Sequence, residues 1–183
     1  MLRTFLSAPF LLLTIIAWPQ YTATVKTTTT KAETRAWISW KNTECSLNYP
    51  GAWNAEAAGP PGTVMIFSAP MDSSGFIQSR VDLAVRNIGA IGLDDLMRKR
   101  KEEIKADYPD GHMIGGVAQT GADDASQTIE YTGSIADRPM HFRQLVRISK
   151  GKSYLLTYSA TEEMYDEFLF MAEAMFGSFR VLP

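Results

Sequence analysis

An α+β domain, with helices packed on a central antiparallel β-sheet, is what this 183-residue sequence predicts. Three observations carry that prediction. Apolar residues alternate with a period of two through two long blocks of the chain, the signature of half-buried strands. The period shifts to helical spacing twice, after Gly92 and after Thr161. The resulting order is strands, helix, strands, helix, with no regular βαβ repeat, which favours an antiparallel sheet with helices laid on it. Hydrophobic residues make up 45% and charged residues 21% of the chain, which is ordinary for a folded domain and excludes a disordered one.

The domain begins at residue 35. Trp37, Ile38 and Trp40 form a first strand, with Trp37 and Ser39 on one face and Ile38 and Trp40 on the other. Leu47, Asn48 and Tyr49 lead into a turn at Pro50–Gly51, where proline's missing donor ends the strand. Residues 53–57 make a short return strand, and Gly59, Pro60, Pro61 and Gly62 a loop. Val64, Ile66 and Ser68 alternate with Met65, Phe67 and Ala69, predicting a strand apolar on both faces and central in the sheet. Residues 75–80 connect it to a half-buried strand in which Val81, Leu83 and Val85 share one face.

Leu93, Leu96, Met97, Arg100 and Ile104 then line one face of a helix, with Arg100 contributing its aliphatic stem. Asp94 and Asp95 suit the positive end of its dipole and are spaced to pair with Arg98 and Lys99; Pro109 and Gly111 end it. Residues 112–120 read as a strand weakened by Gly115 and Gly116, followed by a loop at 121–124. Strands at 125–134 and 140–149 are joined around Asp137, Arg138 and Pro139. Phe142, Gln144, Val146 and Ile148 share one face, Leu145 and Arg147 the other. Lys150, Gly151 and Lys152 turn tightly into a strand through Tyr158. Thr161 is placed to cap a last helix over 162–176 with Gly177 at its left-handed end, and residues 178–181 dock the tail as a short extended segment.

The first 34 residues have a different character. Arg3 is followed by an uncharged apolar run, 5–18, whose fourteen helical residues span about 21 Å against a bilayer core of about 30 Å. A signal peptide covering 1–23, cleaved near Ala23, is therefore preferred to an uncleaved anchor, although Tyr21 at −3 is larger than such sites favour. Residues 24–34 are threonine-rich and read as a linker. Membrane contact is expected only through the leader, and only if it is retained.

The net charge of −2 and a pI near 5.7 argue against nucleic-acid binding, which needs a basic face. The basic run 98–101 is followed at once by Glu102 and Glu103 and reads as a solvated helix face. Cys45 has no partner for a disulfide and reads as a small core residue. Asp107, Asp110 and His112 lack the alternating oxygens and closing Glu of a calcium loop and read as a turn. His141, at a strand start, reads as a cross-strand packing residue.

No G-x-S-x-G is present. Gly151–Lys152–Ser153 lacks the upstream glycine of a phosphate loop, because Val146 stands there, and strand residues follow it. Glu162 and Glu163 fit the first turn of a helix. No residue is assigned a catalytic, cofactor-binding or metal-binding role, and no cofactor is expected. Trp37, Trp40, Trp53 and Tyr49 are expected mostly in the core, with any exposed pair forming a contact patch.

Several phrases together resemble the PsbP-like family. Leu47–Asn48–Tyr49–Pro50–Gly51–Ala52–Trp53 is similar to its YP-x-x-W signature, and Ile129–Glu130–Tyr131 to its middle strand. Gly151–Lys152–Ser153–Tyr154–Leu155–Leu156–Thr157–Tyr158–Ser159–Ala160 is similar to its G-x-x-Y-x-L-T-Y-x-A strand. Tyr165 in the last helix and the closing Ser178–Phe179 complete the resemblance, which spans 36–182. It implies a sheet between helices, an α/β/α sandwich, in a family named for an extrinsic subunit of photosystem II that includes exported bacterial proteins. The expected function is that of an exported, non-catalytic binding or assembly-support protein, periplasmic or extracellular, with an envelope or membrane-associated protein as partner. The alternatives are an extrinsic protein of the photosystem II oxygen-evolving complex, in a thylakoid lumen, and a hydrolase with an unrecognised site, which Ser134 and His141 meeting in a pocket would favour.

Overall fold

The computed structural model describes residues 36–57, 59–73, 78–120 and 125–183, all within one unit, Thr34–Pro183. The expected signal peptide and linker, the 121–124 loop and residues 75–77 of the 75–80 connection lie outside the described residues. Among the described residues, eleven strands and two α-helices follow in order. The first four strands are β1 (Trp37–Lys41), β2 (Cys45–Pro50), β3 (Asn54–Glu56) and β4 (Thr63–Ser68). Strand β5 (Ser79–Asn87) leads to helix α1 (Leu93–Asp107), then β6 (Met113–Gly115), β7 (Ala118–Thr120), β8 (Ala125–Ile135), β9 (Arg138–Ser149) and β10 (Lys152–Thr161). A 3-10 turn (Glu162–Met164) opens onto α2 (Tyr165–Ser178), and β11 (Arg180–Val181) closes the chain.

The main sheet is antiparallel in the order β3-β4-β5-β10-β9-β8-β6, with β7 also paired to β8. Two of its long strands, β9 and β10, are central because each is apolar on both faces. In register, Leu145, Leu156 and Leu83 point to one face, while Val146 and Leu155 point to the other. The first face is covered by α2 and by a second, three-stranded sheet, β1-β2-β11. Tyr165, Ala172, Met175 and Phe176 of α2 close over Val81, Leu83, Leu156 and Tyr158, with Cys45, Leu47 and Phe179 at the seam. The opposite face carries α1, whose Met97 and Ile104 rest on Ile129, Tyr131, Phe142 and Val146. The expected sandwich is therefore present, and the small sheet is an addition.

Several local expectations change. Strand β4 is interior but only one strand from the edge, because β3 is three residues long. Ser79 and Arg80, read as part of a connection, begin β5 and pair with Ala160 and Ser159. The β8–β9 turn is Ala136–Asp137, both at positive φ as a two-residue hairpin demands, and Pro139 is within β9. Thr161 ends β10 and makes no side-chain cap, since a 3-10 turn intervenes before α2. Gly177 is inside α2, not past its end. The chain leaves instead at Phe179, whose fully buried ring holds the exit extended.

Candidate functional site

Helix α1 buries only two side chains fully, Met97 and Ile104, two turns apart. So narrow a seam leaves a groove along each side of the helix. The groove on the sheet-edge side has a cavity of about 460 Å³ between α1 and the β6–β8 region. Its floor is Ile104, Tyr108, Tyr131 and Met113, and its rim is Arg98, Lys101, Glu102, Lys105 and His112. Tyr108 and Tyr131 lie with their ring centroids 5.8 Å apart, and both pack on Phe142. Burial pushes the Tyr131 hydroxyl up to about 12, so the floor stays uncharged over the physiological range.

Glycines let the backbone come close enough to shape this groove. A Cβ on Gly111 would run into the Thr132 carbonyl oxygen, and one on Gly133 into the Tyr108 ring. The Gly111 amide donates to the Tyr108 carbonyl at 3.0 Å, and the Thr132 amide to the His112 carbonyl at 2.9 Å. The end of α1 is thereby tied to β8, and His112 and Met113 are delivered to the edge of the sheet.

The second groove, of about 620 Å³, is on the other side of α1, over Val146, Ser153 and Leu155. Two of its cations, Arg98 and Arg100, are engaged. Arg100 donates from Nε to Gln144 Oε1 at 2.9 Å and pairs with Glu103 at 3.0 Å, while Gln144 Nε2 donates to Thr157 Oγ1 at 2.6 Å. This chain pins α1 to the sheet, and it satisfies a glutamine that is 1% exposed. Arg98 pairs with Asp95 at 2.7 Å, three residues apart and not the four expected. With Arg98 held by Asp95, the rim of the edge groove keeps two lysines, Lys101 and Lys105, against one carboxylate, Glu102.

A third polar group is on the α2 face. Glu130 accepts from His141 Nε2 and Arg143 Nη1, both at 2.9 Å, and Arg143 also pairs with Glu173 at 3.1 Å. The His141 ring stacks on Tyr165, 3.5 Å between centroids and 7° from parallel. The packing role expected of His141 is what the structure gives it. Ser134 is engaged elsewhere, donating to Asp110 Oδ2 at 2.5 Å, so the histidine and serine of the hydrolase alternative have different partners. That hydrogen bond also holds the Asp110 carboxyl below its usual value.

The remaining sequence candidates have structural places. Gly151 is at positive φ in the β9–β10 turn, and Lys152 and Ser153 begin β10. Glu162 and Glu163 are exposed in the 3-10 turn. Cys45 is fully buried, and burial pushes its thiol up to about 11. Among the aromatic residues, Trp53 is buried, Trp40 and Tyr49 pack against the core, and Trp37 is exposed beside Ile38. The site missed in the sequence is the groove rim. Positions 98, 101, 105 and 108 recur at helical spacing beside the apolar stripe, and that spacing was the available signal.

No protein-family model and no curated protein matches the sequence. Solved structures do superpose. Cyanobacterial PsbP (CyanoP) from Synechocystis sp. PCC 6803 does so with a TM-score of 0.65 at 17% identity, over 83% of this chain and 96% of that one. LpqN, involved in cell envelope biogenesis of Mycobacterium tuberculosis, gives 0.62 at 14% identity over 81% and 91%. PA94 of Pseudomonas aeruginosa, a protein of unknown function, gives 0.59 at 14% identity over 80% and 98%. Identities this low speak for architecture and not for activity, and the architecture is plain: this chain has the PsbP-like α+β fold.

Proposed function

We propose that this chain is an exported, non-catalytic binding or assembly-support protein that engages an envelope or membrane-associated protein through the groove between α1 and β6. The observation that carries the reading is the groove itself, an apolar floor with a surplus of cations on its rim. His141 and Ser134 have structural partners, His141 with Glu130 and Ser134 with Asp110. Export is supported by the uncharged run at 5–18 after Arg3 and by the threonine-rich stretch that follows. The fold does not select the photosystem II alternative, because an envelope-biogenesis protein superposes about as well as the cyanobacterial one.

Affinity capture of the tagged chain from native envelope, after mild cross-linking, is expected to recover one partner reproducibly. Repeated recovery of none would contradict the reading. Sequencing the mature N-terminus tests the export step, with a start near residue 24 expected.

A further inference from the structure

Strand β6 ends the main sheet, with β8 on one side and no strand on the other among the described residues. The Thr132 amide donates to the His112 carbonyl, which makes residues 112 and 132 a hydrogen-bonded pair. Antiparallel alternation then makes Met113 and Tyr131 the non-bonded pair, so the Met113 amide and carbonyl point outward to the open edge. Sheet edges are normally blunted with charges or proline. Residues 113–118, Met-Ile-Gly-Gly-Val-Ala, contain neither. Met113 is 44%, Ile114 55% and Val117 62% exposed, all on this edge. This edge is short, three residues with a register shift between Met113 and Gly115, but it is apolar and uncharged and lies beside an apolar groove with a basic rim, features of a strand-addition site.

We infer that the groove between α1 and β6 receives an extended, acidic segment of the partner protein, added as a further strand on β6. This rests on the binding reading above and names the kind of ligand. Met113 supplies the backbone donor and acceptor. Apolar side chains of the segment rest on Ile104, Tyr108 and Tyr131, and its carboxylates face Lys101 and Lys105. The charge surplus also disfavours a second copy of this chain, which would bring the same cations to the same edge.

The test is selection of a displayed library of random dodecapeptides on the full chain, followed by fluorescence anisotropy with the selected peptides. Enrichment of alternating apolar and acidic residues is expected. Lys101→Glu combined with Lys105→Glu should weaken binding by roughly tenfold or more, and added salt should weaken it as well. Met113→Pro should remove binding by deleting the outward amide. If that variant does not fold, the lysine pair, on exposed helix positions, still decides the matter. Peptides without acidic residues, affinity unchanged by the charge reversal, dimerisation of the chain through β6, or no enrichment would each overturn the assignment. None of these results touches the broader binding reading, which stands or falls with capture from the envelope.

Discussion

Asp82 shows how a single residue sets a pH dependence here. Its carboxyl is on β5, and burial holds it above its ordinary value against the pull of Arg80 at 3.1 Å. A carboxyl raised in the folded state keeps its proton more tightly than in the unfolded chain. Its contribution is therefore present at low pH and is lost as pH rises through the folded value. Asp82→Asn carries no such dependence. Urea unfolding from roughly pH 3 to 6 should show the variant gaining on the parent as pH rises, with no further change above that range. A constant difference between the two would remove burial as the cause. Gly111 makes the opposite kind of demand, for space. Gly111→Ala should destabilise by about 1–3 kcal/mol, because the new methyl meets backbone that cannot swing away as a side chain would. Chemical denaturation at neutral pH measures it, and a loss below about 0.5 kcal/mol would show that β8 yields easily.

At the level of elements, α2 provides the sharper prediction. Glycine after a helical run usually marks a left-handed exit. Gly177 instead continues the helix, and a Cβ there would meet nothing. Gly177→Ala should therefore stabilise the protein by about 0.5–1 kcal/mol, read as a raised melting temperature. Destabilisation would mean that the position needs glycine after all. The reason the sequence misleads at Gly177 is tertiary. The helix end is decided by burial of Phe179 and the pairing of Arg180 and Val181 with β2, contacts more than a hundred residues distant in the chain. The 3-10 turn after Thr161 was not read from the sequence either, nor was the two-residue turn at Ala136–Asp137, where neither residue is a glycine. What was legible is what depends on local spacing: the period-two runs of β5, β9 and β10 and the apolar stripe of α1. The partition of β9 into a Phe142–Val146 face and a Leu145 face was legible for the same reason. The small sheet was not, because pairing β1, β2 and β11 requires knowing that the two ends of the domain meet.

For the molecule as a whole, the two faces of the main sheet are used differently. The face under α2 and the small sheet holds the larger core, with Phe67, Leu83, Leu156, Tyr158 and Met175 buried together, and supplies most of the apolar burial that supports folding. The face under α1 is covered along one seam and leaves a groove open at the sheet edge, where binding surface costs little stability. Charge is distributed in the same way. The polar groups of the α2 face are knitted through Glu130, Arg143 and Glu173, whereas Lys101 and Lys105 stand exposed on the groove rim. The proposed partner binds at this edge. Hydrogen exchange of the chain, measured alone and in complex with its captured partner, tests it most directly. Protection should appear at the amides of residues 111–117 and along α1 from 98 to 108, with the α2 face unchanged. Protection confined to α2 or to β1, with the β6 amides exchanging as in the free chain, would contradict it.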